Sequence, residues 1–485
     1  MSKFQKIEFY KSPKAEYRLL PFRFTPLDDS RHVLTNLAGE YLLASRATVE
    51  DLVNHRLDKT SASYVDLRSR HFLVDDDTSV APELLAIKVR TSYVRLAEFT
   101  GLHIFVVSLR CEHSCPYCQV SRQSEDKGKF DMSPEIASAS LDLTFRSPSK
   151  NIKIEFQGGE PLLNVDLIKF IVIEAEKRNK TAGKNLAFVI ATNLALVTKE
   201  ILAFCRQHAI LISTSLDGPE SLHNKNRPRP GGNSHQRAIE GIALVRQELG
   251  RDQVSALMTT TEASLGQVEA IVDEYLKHGF SGIFFRPLSP YGFAIKTKTY
   301  RAYNADRWLE FYKQGLEYII DLNRRGIEFV EYHAATVLAK MLTNDDPGFV
   351  DLMSPAGMAI AAVVYNYDGS VYASDESRML AEMGEERFKL GDVLEDSYEA
   401  IFSSPSLLEP LEESFAYSVP MCNDCAFEPF CGADPVFHYG LQKDYVGRKP
   451  ESEFCHRNMT VFKYLIRRME EDSFVKRLFT KWGTR

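Results

Sequence analysis

No stretch of this chain approaches the roughly 18 consecutive apolar residues of a membrane-spanning helix, so a helical membrane protein is excluded. The opening residues, MSKFQKIEFYKSPKAEYRLL, lack a continuous apolar core followed by a small-residue cleavage site. A secretory signal is therefore not expected, and the cytoplasm is the default compartment. A basic excess is also lacking: 59 basic against 66 acidic residues leave a net charge of −7, which argues against broad nucleic-acid binding and offers no basic membrane anchor. Solenoid repeats and long low-complexity segments are missing, so the chain reads as ordered nearly throughout. Cysteine is sparse, with eight residues in 485, and it is grouped. Three cysteines lie within 111–118 and four within 422–455, while Cys205 stands alone in FCRQHA. In a cytosolic chain such groups point to metal rather than to disulfides.

What is present is enough for two or three domains, because single cores stop growing at about 250–300 residues. Residues 1–97 hold short strand-like pieces (YRLLPFRF, HVLTNL) and helical patterns around ATVEDLVNHRL, the size of a small α+β module. Residues 98–334 alternate short apolar strands with helices. The strands are HIFVVSL, IKIEFQ, LAFVIAT, ILISTSL, VSALMTT and GIFFRPL. Six βα units in a row predict a parallel sheet or partial barrel, since parallel strands need crossover helices. Residues 335–485 contain the strand-turn signal VVYNYDGSVYAS, a cysteine-rich loop segment and an amphipathic stretch, MTVFKYLIRRMEE, expected to pack back on the body.

Directly after the first of the six strands comes RCEHSCPYC, in which Cys111, Cys115 and Cys118 are spaced C-x3-C-x2-C. Thiolates select soft metals, so the loop suits an iron–sulfur cluster with one iron left open, or zinc with His113 or a distant cysteine as fourth ligand. The next three strands end in polar motifs. QGGEP gives Gly158, Gly159 and Glu160; ATN gives Thr192 and Asn193; STSLDG gives Ser213, Ser215 and Asp217. A glycine pair lets backbone approach a ligand, and the Glu160 carboxylate can accept from an ammonium. Any one of these could merely cap a strand, but with the cysteine loop they make four in order at the face where such folds place active sites and point to one site. Arg286 after the sixth strand suits a carboxylate or a buried ion pair, and Arg237 is a weaker basic candidate. Farther on, Cys422, Cys425 and Cys431 form C-x2-C-x5-C, with Cys455 completing four thiolates, a full set for a cubane or for zinc. Cys205 lies on an apolar helix face and reads as core.

The C-x3-C-x2-C loop, with aromatic Tyr117 before its last cysteine and the three strand-end motifs behind it, resembles the signature of the radical S-adenosylmethionine (SAM) superfamily. The resemblance implies a partial (β/α)6 TIM barrel. It implies a [4Fe–4S] cluster on Cys111, Cys115 and Cys118, and SAM contacts from Tyr117, Gly158, Gly159, Glu160, Thr192, Asn193, Ser213, Ser215, Asp217 and Arg286. The second cysteine group resembles the SPASM extension of peptide-modifying relatives, which carries seven cysteines and two auxiliary clusters when complete. Here Ser374 and Pro435 stand where cysteines are usual, implying one auxiliary [4Fe–4S] cluster on Cys422, Cys425, Cys431 and Cys455 and loss of the substrate-proximal one. Asp375, next to the lost cysteine, sits where some relatives place a proton acceptor. CEHSCPYCQVSR resembles in particular the maturases of His-Xaa-Ser peptide systems. That implies a precursor peptide with a leader, a flavodoxin- or ferredoxin-type electron donor and a partner radical SAM maturase, with the winged-helix-like N-terminal module capturing the leader by strand addition. The expected reaction is hydrogen abstraction from the peptide and closure of a C–C or C–O crosslink or ring. Formylglycine formation of the sulfatase-maturase type and a non-catalytic, zinc-stapled peptide-binding scaffold are the alternatives.

Overall fold

The computed structural model describes residues 16–75, 80–343 and 346–484, so most of the N-terminal stretch read above for a secretory signal lies outside the described residues. The chain divides into two compact units, one formed by residues up to Arg95 together with Pro420–Cys431, the other by Leu96–Val419 and Gly432–Arg485.

The first unit contains an antiparallel sheet of three strands, β1 (Phe22–Pro26), β2 (Arg31–Asn36) and β3 (Tyr41–Ser45), in that order. Two helices follow, α1 (Arg46–Val53) and α2 (Ala62–Ser69), each started by a serine, Ser45 and Ser61, whose side chain accepts a first-turn amide. Alternation sorts the sheet's faces: Phe22, Leu34, Leu42 and Ala44 pack with Val49, Leu52, Leu67 and Phe72. The residues between them, Arg23, Thr25 and Tyr41, meet the far segment Pro420–Cys431. Arg23 pairs with Glu428 at 3.1 Å and donates to the Asn423 carbonyl at 2.6 Å. Thr25 Oγ1 accepts from the Ala426 amide at 3.0 Å, and Tyr41 meets Phe430 edge-on. The sequence grouped these loop residues with 335–485, whereas the contacts join them to the N-terminal sheet.

The second unit is built on a nine-stranded, mainly parallel sheet flanked by helices. Its strands include β4 (Leu102–Ser108), β5 (Asn151–Gly158), β6 (Asn185–Ala191), β7 (Ile210–Ser215), β8 (Val254–Thr259) and β9 (Phe285–Arg286). These lie side by side in chain order and run parallel. They match the six apolar runs of the sequence, the last broken into Gly282–Ile283 and Phe285–Arg286. Crossovers include α3 (Pro134–Arg146), α4 (Val165–Ala182), α5 (Lys199–Gln207), α6 (Ser234–Leu249) and α7 (Val268–Lys277). On β5 every second residue, Ile152, Ile154 and Phe156, is buried, each contributing about 1.5–3 kcal/mol by leaving water.

The strand-turn signal of the third zone joins this same sheet. After α8 (Ala305–Arg324), β10 (Ala362–Tyr365) pairs parallel to β4, with Ile104 opposite Val364. β11 (Ser370–Tyr372) and β12 (Lys389–Asp392) then extend it antiparallel. Between β11 and β12 lies α9 (Asp375–Ala381), and the unit closes with α10 (Glu453–Glu471) and α11 (Ser473–Gly483). As the amphipathic pattern predicts, α10 buries Val461, Phe462, Leu465, Ile466 and Met469; it is tied to α8 by Arg468, which donates to Glu317 at 2.6 Å.

Candidate active site at the strand ends

Directly after β4 the cysteine loop is rooted by a buried arginine. Arg110 donates twice to Asp131, both at 2.7 Å, and to the Leu163 carbonyl at 2.7 Å. The QGGEP turn lies against the same root: Gly159 N donates to Ser108 O at 2.8 Å and Glu160 N to Arg110 O at 2.7 Å. The glycine pair serves this contact. A Cβ on Gly158 would lie 2.0 Å from Ser108 O, and one on Gly159 2.3 Å from Arg110 O. A third glycine, which sequence reasoning missed, packs on the other side. Gly292, at φ +59°, brings backbone so near that a Cβ would sit 2.6 Å from Cys118 O, while Phe293 N donates to that oxygen at 2.8 Å.

Burial pushes the Cys111 thiol far up and the Cys115 thiol up to about 12. Cys111 and Cys115, and Cys115 and Cys118, are near enough to influence each other's charge. Thiols so shielded become thiolates only beside a cation, so this donor set fits a soft metal centre. Glu112 Oε2, on the same loop, is buried without a hydrogen-bond partner.

Glu160 is fully buried and accepts from Leu162 N at 3.0 Å, Thr192 Oγ1 at 2.6 Å and Asn193 N at 2.8 Å. Burial, with Glu112 adding to it, raises its pKa to about 7. Asn193 turns its side-chain amide to Glu112 at 2.9 Å and His113 at 3.0 Å. Tyr117 donates to Asp217 at 2.7 Å and accepts from Arg227 at 2.8 Å; burial pushes both the phenol and the Asp217 carboxyl up. The motifs after β4, β5, β6 and β7 are thus wired to one another. Ser213 and Ser215 are half-buried on β7, and Ser213 takes part through its carbonyl, which accepts from Thr192 N at 2.9 Å.

Arg286 lies half-buried on β9, where its charge is felt by Glu155, Asp351 and Glu376. Asp375 opens α9 and meets Arg378 at 3.5 Å. Its neighbour Glu376, unremarked in the sequence, is pushed up to about 8 by burial, with Asp375 and Asp351 adding repulsion. Sequence reasoning missed Arg227 and His223 and read His113 only as a possible zinc ligand; His113 and His223 both meet the Ser234 hydroxyl, at 2.8 and 3.1 Å. Only its position shortly after STSLDG could have flagged His223. Arg237 pairs with Glu240 at 3.8 Å on the exposed side of α6, away from the wired motifs.

Of the second cysteine group, Cys422, Cys425 and Cys431 lie in the first unit, where Cys425 N donates to Cys422 O at 3.0 Å. Cys455 begins α10 of the second unit, its amide donating to Ser452 Oγ at 3.2 Å and its thiol pushed up by burial. Cys205 is buried in the core on α5.

Residues 105–284 match the family model of the Radical SAM superfamily. A cysteine-type anaerobic sulfatase-maturating enzyme of Clostridium novyi is 22% identical over 372 residues, 74% of this chain and 94% of the relative. Among solved structures, native anSMEcpe with bound AdoMet superposes with a TM-score of 0.64 at 17% identity, covering 79% of this chain and 99% of that one. Streptococcus suis SuiB bound to precursor peptide SuiA gives 0.53 at 14% identity, covering 90% and 99%.

Proposed function

Since residues 105–284 form a radical SAM domain, we propose that this chain is a peptide maturase that abstracts hydrogen from a ribosomally made precursor and installs a C–C or C–O crosslink or ring. The observation that carries the reading is the wiring of the motifs after β4–β7 around the cysteine loop, in which Cys115 is buried and Cys111 and Cys118 are half-buried. Cys111, Cys115 and Cys118 would hold the [4Fe–4S] cluster. A cluster with an open iron and bound SAM supplies the electron that splits the sulfonium and the 5′-deoxyadenosyl radical that attacks the peptide.

The chain's own groups bind, orient and move protons. Glu160, held by three donors, accepts from the SAM ammonium; Gly158 and Gly159 seat that turn against the cysteine loop. Tyr117 is fixed by Asp217 and Arg227 to face the adenine, while Thr192, Asn193, Ser213 and Ser215 serve the ribose and amino-acid portions. Arg286 pairs with a carboxylate of cofactor or substrate. Asp375, with Glu376 beside it, would accept the proton released as the ring closes, while the electron released with it passes to the flavodoxin- or ferredoxin-type carrier. By their number and spacing in the sequence, Cys422, Cys425, Cys431 and Cys455 are assigned to one auxiliary [4Fe–4S] cluster. β3, an outer strand of the N-terminal sheet, has an edge suited to strand addition by a leader. An electron donor of flavodoxin or ferredoxin type, a partner maturase and a cytoplasmic setting complete the reading. Among the described residues no helix is long and apolar enough to cross a membrane.

Formylglycine formation is the second reading, favoured by the sulfatase-maturating relative. Anaerobic reconstitution followed by co-expression with peptides encoded beside this chain tests both. Production of 5′-deoxyadenosine with loss of two hydrogens from the peptide supports a crosslink or ring. Conversion of a cysteine or serine to an aldehyde supports formylglycine. A colourless zinc protein that leaves SAM intact would replace both with the binding-scaffold reading.

A further inference from the structure

Away from the cysteines, two helices of the second unit bring together a different donor set. Glu274 and His278 are four residues apart at the end of α7 and therefore share a face. His235 faces them from the first turn of α6, where its amide is fixed by Asn224 Oδ1 at 2.8 Å. The two imidazoles direct Nε2 at one and the same carboxylate oxygen, Glu274 Oε1, at 2.9 and 2.8 Å. All three donor atoms lie within 4.8 Å of one another. The side chains of His235, Glu274 and His278 are only 10%, 8% and 16% exposed.

We propose that His235, Glu274 and His278 form a divalent-metal site, with zinc the best match, that staples α6 to α7. Two imidazoles and a carboxylate are the nitrogen and oxygen donors zinc accepts, and a water can fill the fourth position of a tetrahedron. Lys277 Nζ lies across both oxygens of Glu274, at 3.3 Å from Oε1 and 3.2 Å from Oε2, while both rings converge on Oε1 alone. The Lys277 side chain is 64% exposed and free to swing into solvent when a cation arrives. The staple has a use. The residue before His235 is Ser234, whose hydroxyl meets His113 of the cysteine loop at 2.8 Å, so fixing the first turn of α6 fixes the partner of that loop.

The test uses the full chain, purified anaerobically with its cysteine sites loaded with iron, then incubated with zinc and passed through a desalting column. The wild type should retain zinc with a first shell of nitrogen and oxygen at about 2.0 Å by X-ray absorption. His278→Gln and Glu274→Gln should weaken zinc binding roughly 100-fold with iron content unchanged. Cobalt added to the wild type provides a reading that needs no variant: visible d–d bands without thiolate charge transfer support the site. Sulfur in the zinc first shell, equal zinc retention by the variants, or binding only at millimolar metal, which marks an adventitious ion only, would overturn it.

Discussion

Tyr117 donates to Asp217 across 2.7 Å of buried space, joining the cysteine loop to the end of β7. The only other group meeting that phenolic oxygen among the described residues is Arg227, a donor at 2.8 Å. Replacing Tyr117 by Phe therefore leaves a buried carboxylate short of a donor. The expected cost is about 1–3 kcal/mol in denaturant unfolding, with iron content preserved and 5′-deoxyadenosine formation slowed. Unchanged stability would mean that water replaces the phenol and that the contact holds nothing.

The glycine pair makes a sharper prediction. In Gly159→Ala the new methyl group meets Arg110 O at 2.3 Å and Leu109 O at 2.6 Å, both backbone atoms that cannot rotate away. The root of the cysteine loop must shift, so SAM binding should fall at least about tenfold even where the chain still folds. Gly266→Ala, which has nothing within 4 Å, is the control and should bind normally.

Cysteine substitutions should separate by group. Loss of Cys111, Cys115 or Cys118 should remove about four irons per chain and abolish SAM cleavage. Cys205→Ala should keep full iron and lose only about 1 kcal/mol of stability, because that side chain packs in the core. Iron assay and circular dichroism decide the case, and loss of iron in the Cys205 variant would contradict the assignment.

Glu331 makes stability depend on pH. It is fully buried, accepting from Tyr312 Oη at 2.9 Å and from the amides of Phe285, His333 and Ala334 at 3.1, 3.2 and 2.6 Å. Burial nevertheless dominates and raises its pKa to about 7. The unfolded chain releases this proton near pH 4.3, so between there and about 7 the folded state holds more protons and stability falls as pH rises. In Glu331→Gln this slope is absent. Melting temperatures of the two proteins should therefore diverge in favour of the variant between about pH 5 and about pH 8, and parallel curves would refute the assignment.

The strands of the second unit were readable because parallel strands covered on both faces are short apolar runs, and the motifs were readable because they end those runs. HIFVVSL and IKIEFQ are β4 and β5, with RCEHSCPYC and QGGEP at their ends. What escaped depends on approach in space. Ser234 meets His113 across 121 positions, and no local pattern announces that bond. Gly292 gave no motif, since its role is to let one loop touch another. Glu376 is in sequence only one more charged residue beside Asp375, and burial alone distinguishes it. The strand-turn VVYNYDGSVYAS was legible as a hairpin but not as an extension of the main sheet, because pairing with β4 spans some 260 residues.

Arg23 and its partner Glu428 sit at opposite ends of the sequence, yet they belong to the same small unit. During synthesis the three-stranded sheet leaves the ribosome early, but the loop that covers one of its faces follows only after the entire second unit except its last helices. The first part of the protein made is thus among the last to be finished, and truncations or stalled chains ending before residue 420 should display that bare sheet face to chaperones and proteases.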